Sequence, residues 1–357
     1  MKGAANESKQ FSYVAFILIF SAAASGCSAT QTAIKLPARP CTQNPFSSKN
    51  TASADSGTLG IVNGTERLVN DALDRTVVGI ISEYLLSDGS REGGTCTGVI
   101  VGKDVVLTAA HCFQSPENAV EARVYASFKA KLFDLTEADV IPVERWRSHP
   151  NYTGNIANYA NADIAVLKLT RSVPSSQLVA SVVDNVSSLT EGLEVTAIGY
   201  GATGSLSRDS GTKRRANSFI RNLINPVNYP ETQLKNQVRV LDTSDLSRGA
   251  CFGDSGGPGF VAGKAQVFGL VQGVHSSVQG PAPSCERADY NYTLIAPYRA
   301  WIEEQIGYSL NVSGTHLRVS DSPGWSAQNA ELPKRSSAPA TTTEQVASTQ
   351  RSLPYCK

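Results

Sequence analysis

The chain has 357 residues, enough to build a core that excludes water from a reaction site without relying on disulfides alone. With 32 Lys+Arg against 31 Asp+Glu its formal net charge is +1, so it presents no broad cationic field to phosphate backbones or acidic lipids, and no nucleic-acid partner is expected. A single Met, 29 Gly, Val-rich runs and frequent Asn, Ser and Asp punctuation suit short strands and turns, so the body reads as mainly β.

In chain order, residues 1–26 read as an export signal, with Lys2 and Lys9 ahead of an apolar run from Phe11 to Phe20 and small residues up to Gly26. Ala24-Ser25-Gly26-Cys27 resembles the bacterial lipoprotein signal, in which the cysteine becomes the first mature residue and carries lipid. Ordinary signal cleavage between Ala22 and Gly26 is the other reading, and both place the chain where disulfides form. Membrane contact is expected only through a lipid at Cys27. Residues 27–60, rich in Ser, Thr, Ala, Pro and Asn, read as a tether or pro-segment.

From Ile61 the texture changes. Short apolar runs at Val77–Ile81, Val99–Val101, Val105–Leu107, Ile164–Leu169, Val195–Ile198 and Val267–Val271 alternate with turn signals, the pattern of a barrel or sandwich. Pro297–Ile306 carries Tyr298, Trp301, Ile302 and Ile306 at helical spacing and predicts one amphipathic closing helix. Residues 309–357 are Ser/Thr/Pro-rich and are expected to form a loose tail.

Three segments carry chemistry. Leu107-Thr108-Ala109-Ala110-His111-Cys112 puts a histidine after a short apolar strand, beside a cysteine that can pin it. Cys96 lies 16 positions earlier, and closing a loop of that size is worth roughly 3 kcal/mol in the chain-entropy model. Asn161-Ala162-Asp163 places an acid at the entrance of the strand Ile164–Leu169. Gly253-Asp254-Ser255-Gly256-Gly257-Pro258, preceded by Cys251, sets a serine between glycines, where the chain can turn sharply and aim its N–H groups at one point. Taken singly, these are a bland histidine, a turn-forming aspartate and a Gly-rich surface turn. Their order and joint presence suit a nucleophile (Ser255), a base (His111) and an orienting acid (Asp163).

Together the three segments resemble the chymotrypsin/trypsin family over residues 61 to about 308. Further support comes from Ile61-Val62-Asn63-Gly64, His149-Pro150-Asn151-Tyr152, Gly199-Tyr200-Gly201 and Ala300-Trp301-Ile302. The resemblance implies an all-β fold of two six-stranded antiparallel barrels with a C-terminal helix, and a catalytic site between the barrels. It implies a secreted serine endopeptidase with the triad His111, Asp163 and Ser255, and an oxyanion hole from the backbone N–H groups of Gly253 and Ser255. It also implies activation by cleavage between Gly60 and Ile61, after which the new amino group of Ile61 pairs with Asp254. The residue before Ile61 is Gly60 where the family commonly has a basic one, so an activating protease of trypsin-like preference does not suit this bond. Gly249 and Ala250, on the floor of the specificity pocket, supply no acid for Lys or Arg. With Gln272, Gly273 and Val274 on the pocket strand, they favour a small apolar residue on the acyl side. Cys251 with Cys285 follows the family pattern, and Cys41 with Cys356 is the pair left over. Protein or peptide substrates are implied, and no cofactor or metal.

Two other classes compete with this reading. A catalytically silent homologue acting as a binding module accommodates the altered strand Gln272–Val274. An α/β-hydrolase esterase requires a Gly-x-Ser-x-Gly elbow with the histidine last in chain order, whereas His111 comes first.

Overall fold

The computed structural model describes residues 61, 64, 71–154, 162–224, 237–241, 249–275, 285, 289–326 and 345–346. The signal, Cys27, Cys41, Gly60 and Cys356 lie outside the described residues, and so does the pairing of Cys41 with Cys356. Among the described residues no helix is long and apolar enough to cross a membrane.

Six antiparallel strands make the first barrel: β1 Val77–Leu86, β2 Arg91–Gly102, β3 Val105–Thr108, β4 Ala119–Ser127, β5 Val140–Ser148 and β6 Ala165–Leu169. Their order β5-β4-β1-β2-β3-β6 closes through a further pairing of β5 with β6. β-Branched and Leu side chains fill the interior, including Val78, Ile80, Ile100, Val106, Leu167 and Leu169, with Trp146 stacked on Phe113 at 5.1 Å. The β1–β2 hairpin turns at Asp88-Gly89, where Gly89 has φ +83° and the Asp88 carboxylate accepts from Ser90 N–H at 2.8 Å.

The second barrel repeats the plan with β7 Glu194–Gly199, β8 Arg214–Ile224, β9 Gln237–Leu241, β10 Pro258–Val261, β11 Gln266–His275 and β12 Asp289–Leu294. It runs β10-β7-β8-β9-β12-β11 and closes between β10 and β11. The fold expected from the resemblance is the fold observed. A third apolar cluster spans both barrels, from Val77, Leu107 and Ile164 to Ile198, Phe260, Leu270 and Ile302, so the two halves share one core rather than meeting across a wet interface.

The closing helix, α1 Arg299–Ile306, follows a 3-10 turn at Ala296–Tyr298 and buries Ile302 and Ile306. It stops at Gly307, which takes φ +78° and donates to the Glu303 carbonyl at 2.9 Å, the left-handed C-cap that glycine adopts without a Cβ penalty. The loose tail expected from residue 309 does not begin there. Residues 309–326 run back over the molecule: Val182 N–H donates to Asn311 O at 2.8 Å, Leu317–Arg318 pairs with Leu178–Val179, and Lys103 N–H donates to Pro323 O at 3.0 Å. Trp325 N–H reaches the Asp104 carboxylate at 2.8 Å, and Leu310 and Val319 are buried. The polar composition conceals a few apolar anchors whose burial offsets the ordering entropy.

Candidate active site

His111 sits on the 3-10 turn Ala110–Phe113 that follows β3, and Asp163 lies two residues before β6. β3 and β6 pair with Thr108 opposite Ala165, so the barrel brings the two segments to the same end. Asp163 is 2% exposed and both its oxygens engage residue 111: Oδ1 accepts the backbone N–H at 2.9 Å, and Oδ2 lies 2.6 Å from Nδ1. Burial works against a charged imidazole here. The charge and hydrogen bond of Asp163 outweigh it, and His111 titrates above an ordinary histidine. A disulfide from Cys112 to Cys96 fixes the turn to β2.

The turn carrying Ser255 is anchored from the other barrel. Gly253 and Gly256 take φ of +103° and +77°, open to glycine and strained for other residues. A Cβ on residue 256 would lie 2.0 Å from Thr108 Oγ1 and 2.6 Å from Ala109 N, so only glycine lets this turn close onto the chain leading into His111. A second disulfide, Cys251 to Cys285, holds the start of the turn.

Thr97 ties the pieces together, and sequence reasoning missed it. Its N–H donates to Ser255 O at 2.8 Å and its hydroxyl to Gly253 O at 2.9 Å. That hydroxyl also accepts from Tyr200 N–H at 3.0 Å, and the Thr97 carbonyl accepts from Thr108 Oγ1 at 2.7 Å. The only local signal was its place beside Cys96 in a buried strand.

In the same turn Asp254 N–H, Gly256 N–H and Gly257 N–H donate to Cys251 O, Val271 O and Asp254 O at 3.0, 2.7 and 2.8 Å. Among the described residues, the N–H groups of Gly253 and Ser255 donate to no protein acceptor, the state an oxyanion site requires. Likewise among the described residues, Ser255 Oγ makes no hydrogen bond.

Asp254 is 2% exposed, accepting from Gly201 N–H at 2.7 Å and Cys251 N–H at 2.9 Å. Burial pushes its carboxyl up to about 7, against the pull of those two amides and of the Arg214 charge. A Cβ on Gly199 or Gly201 would come within 2.1 Å of the carboxylate, which accounts for the glycines on both sides of Tyr200. The Ile61 side chain is fully buried between Ala197 of β7 and Ala216 of β8.

Of the expected pocket residues, Gly249 and Ala250 are buried and no acid stands at either position. Gln272 is 3% exposed at a bulge of β11, with its Oε1 unbonded among the described residues. A Cβ on Gly273 would meet nothing within 4 Å, and Val274 pairs with Tyr290 through the backbone. The neighbouring Tyr290 donates its hydroxyl to Ser218 Oγ of β8 at 2.9 Å. His149 packs edge-on against Tyr298 at 5.0 Å and Trp301 at 4.8 Å, so the His149–Tyr152 motif serves to dock the closing helix.

Residues 77–302, more than half of the chain, match the family model described as Trypsin. The chain belongs to the trypsin family. This trypsin-family chain is similar to CLIP domain-containing serine protease B10 of Anopheles gambiae, with 29% identity over 63% of the chain and 64% of that protein. It is similar also to a chymotrypsin of Phaedon cochleariae, 28% identical over 69% of the chain and 82% of the relative. A vitellin-degrading protease of Bombyx mori is 27% identical over 70% of the chain and 87% of the relative. The chain thus spans less than two thirds of the mosquito protease and most of the other two. Among solved structures, HL collagenase superposes with a TM-score of 0.50 and 25% identity, covering 70% of this chain and 99% of that one. A mutant of human heparin binding protein gives 0.51 at 21% identity, covering 69% and 96%, which bears on fold alone.

Proposed function

We propose that this trypsin-family chain is an exported serine endopeptidase acting through an acyl-enzyme on His111, Asp163 and Ser255. The observation that carries the reading is the buried Asp163 carboxylate, 2.6 Å from His111 Nδ1 on a turn against which the Ser255 loop is packed. Ser255 Oγ attacks the peptide carbonyl while its proton passes to His111 Nε2, and Asp163 holds the ring in the tautomer that leaves Nε2 free and stabilises the imidazolium. The negative oxygen of the tetrahedral intermediate takes hydrogen bonds from the N–H groups of Gly253 and Ser255. Its collapse breaks the C–N bond, and the proton on Nε2 goes to the leaving amine. Water, deprotonated by the same imidazole, then cleaves the ester and restores Ser255.

The uncut chain is a zymogen in this reading. Asp254 is buried with two backbone donors and no ammonium partner among the described residues, and its raised pKa marks a site in want of a cation. Cleavage between Gly60 and Ile61 supplies that cation next to a side chain already seated between the β7 and β8 strands. The absence of an acid at Gly249 and Ala250 favours a small apolar residue on the acyl side. Two disulfides and the N-terminal leader support export, with lipid attachment at Cys27 proposed from the Ala24–Cys27 tetrapeptide alone.

The test is a fluorophosphonate probe applied before and after cleavage at Gly60–Ile61, with N-terminal sequencing of the labelled species. Labelling of Ser255 confined to chains that begin at Ile61 supports the reading. Labelling of chains that start upstream of Ile61 removes the zymogen step, and no labelling of either form favours a silent homologue acting as a binding module.

A further inference from the structure

Strand β5 has one edge that the other strands of its barrel leave open. On one side β6 covers it from Val143 to Ser148. On the other, β4 pairs with it only at Val140, Ile141 and Pro142, although β4 runs back to Ala119. That pairing stops at Pro142, which has no N–H to give the ladder, and a bulge between Val143 and Arg145 bends β5 just beyond it. The backbone groups that β5 turns away from β6 over Val143–Ser148 are therefore not taken up by β4, and an edge of this kind is a template for another extended chain. The stretch also supports the candidate active site: Trp146, 1% exposed, stacks at 5.1 Å on Phe113 of the turn that carries His111.

Two observations identify what covers the edge. Gln345 pairs with Trp146 and Val346 with Arg145, antiparallel, and because β6 holds the other side of both β5 residues this pairing uses the open one. The segment 309–326 also delivers the chain to this place. Lys103 N–H donates to Pro323 O at 3.0 Å, and Trp325 N–H donates to Asp104 Oδ1 at 2.8 Å. Asp104 Oδ2 pairs in turn with Lys168 Nζ at 2.6 Å, and Lys168 lies opposite Arg145 in the β5–β6 ladder. The Arg145 guanidinium stands 5.9 Å from the centre of the Trp325 ring. From there the 18 residues 327–344 lead to Gln345. A flexible chain of that length spans about 20–25 Å, which holds the following segment near the edge at a millimolar effective concentration.

The composition of the segment suits an added strand. Residues 340–353 contain neither Gly nor Pro, and Thr341, Thr342, Thr343 and Val346 are β-branched. Glu344 is the one charged residue of 341–350, against Arg145, Arg147 and a single acid, Glu144, on the open stretch of β5.

We propose that the open edge of β5 is a strand-docking site whose occupant is this chain's own C-terminal segment, residues 341–350, tethered there through Trp325. Main-chain hydrogen bonds supply the attachment, as in other cases of strand addition. No part of the proposal rests on the protease reading.

The experiment is hydrogen–deuterium exchange, read by mass spectrometry, on the full chain carrying Ser255→Ala to prevent self-cleavage. Amides within 341–350 should exchange at least about tenfold more slowly than those of the same sequence as a free peptide, and dilution of the protein should leave that protection unchanged. Gln345→Pro together with Val346→Pro removes whichever of the two N–H groups faces β5. That double variant should abolish the protection and speed exchange of the β5 amides on the open edge, with β1 and β2 exchanging as before. Val346→Thr, which keeps both the N–H and a β-branched side chain, should retain the protection. Exchange of 341–350 at the free-peptide rate in the parent would overturn the proposal, as would protection that persists in the double-proline variant. Protection lost on dilution would also overturn it, by assigning the docked strand to a second copy of the chain.

Discussion

Replacing Asp163 with Asn tests the catalytic geometry most directly, because the two carboxylate oxygens face two donors from one residue. Oδ1 accepts the His111 backbone N–H at 2.9 Å and Oδ2 meets Nδ1 at 2.6 Å, in a site where the aspartate is 2% exposed. An asparagine has one acceptor and one donor for these places. If its oxygen keeps the backbone N–H, its NH2 faces Nδ1, and the ring must carry its proton on Nε2, the tautomer that cannot take a proton from Ser255. If the amide turns over, Nδ1–H regains an acceptor, but the NH2 then opposes the backbone N–H and strands a buried donor at a cost of about 1–3 kcal/mol. The first orientation withholds the working base and the second is opposed by the stranded donor, so a loss of about 10⁴ in kcat/KM, or about 5.4 kcal/mol at 1.36 kcal/mol per decade, is the expected outcome.

The size of the side chain is conserved, so far-UV circular dichroism and the disulfide-linked fold should stay as they are. The residual activity should also change its pH profile. In the parent, activity falls as pH drops through the raised value of His111, since the protonated ring cannot act as base. Without the Asp163 charge only burial remains, which disfavours the cation, so the acid limb should move to lower pH. The assay is kcat/KM on a chromogenic peptide from pH 5 to 9 for the chain processed at Ile61. Turnover by Asp163→Asn within tenfold of the parent, or an acid limb moved upward, would refute the argument.

Three further outcomes follow from other parts of the structure. Thr97→Val removes the hydroxyl that bonds Gly253 O and Tyr200 N–H, so at about 1–3 kcal/mol per stranded group it should lower urea-unfolding stability by about 2–6 kcal/mol and reduce kcat, with Thr97→Ser restoring both. In the uncut chain Asp254 has a folded pKa of about 7 against 3.8 unfolded, so the folded state binds the extra proton and stability falls as pH rises between those values. With Ser255→Ala to prevent self-cleavage, melting experiments should show Asp254 costing about 4 kcal/mol more at pH 8 than at pH 3.5, relative to Asp254→Asn. Pairing with the Ile61 amino group in the cut chain should remove most of that difference. Leu310→Ala, in the segment packed behind the barrels and 4% exposed, should cost about 2–5 kcal/mol in denaturant melts, whereas a residue in a loose tail would change stability by less than about 0.5 kcal/mol.

Strand legibility depended on where the polar residues point. The apolar runs at Val77, Val105, Ile164, Val195 and Val267 all fall in barrel strands. The strand Arg214–Ile224 passed unnoticed because its polarity is inverted: Arg214 and Ser218 face inward, while Phe219 is 38% exposed. Polar partners from the same barrel meet them there, the Gly201 carbonyl for Arg214 and the Tyr290 hydroxyl for Ser218. Ala119–Ser127 escaped for a related reason, being only half-buried over most of its length.

The amino-acid order by itself singled out the side chains proposed to carry the chemistry, because a serine between glycines, a histidine beside a cysteine and an aspartate ahead of an apolar strand are local patterns with local physical reasons. It also settled the glycines at 253 and 256, whose left-handed backbone few other residues accept. Distance was decided only by the fold. Pairing of β3 with β6 in the first barrel sets Asp163 against His111, the hydroxyl of Thr97 reaches Gly253 across 156 positions of chain, and residues 309–326 gain their order from surfaces made by residues 100–182. Such contacts depend on which strands become neighbours, and that is a property of the whole packed core rather than of any window of sequence.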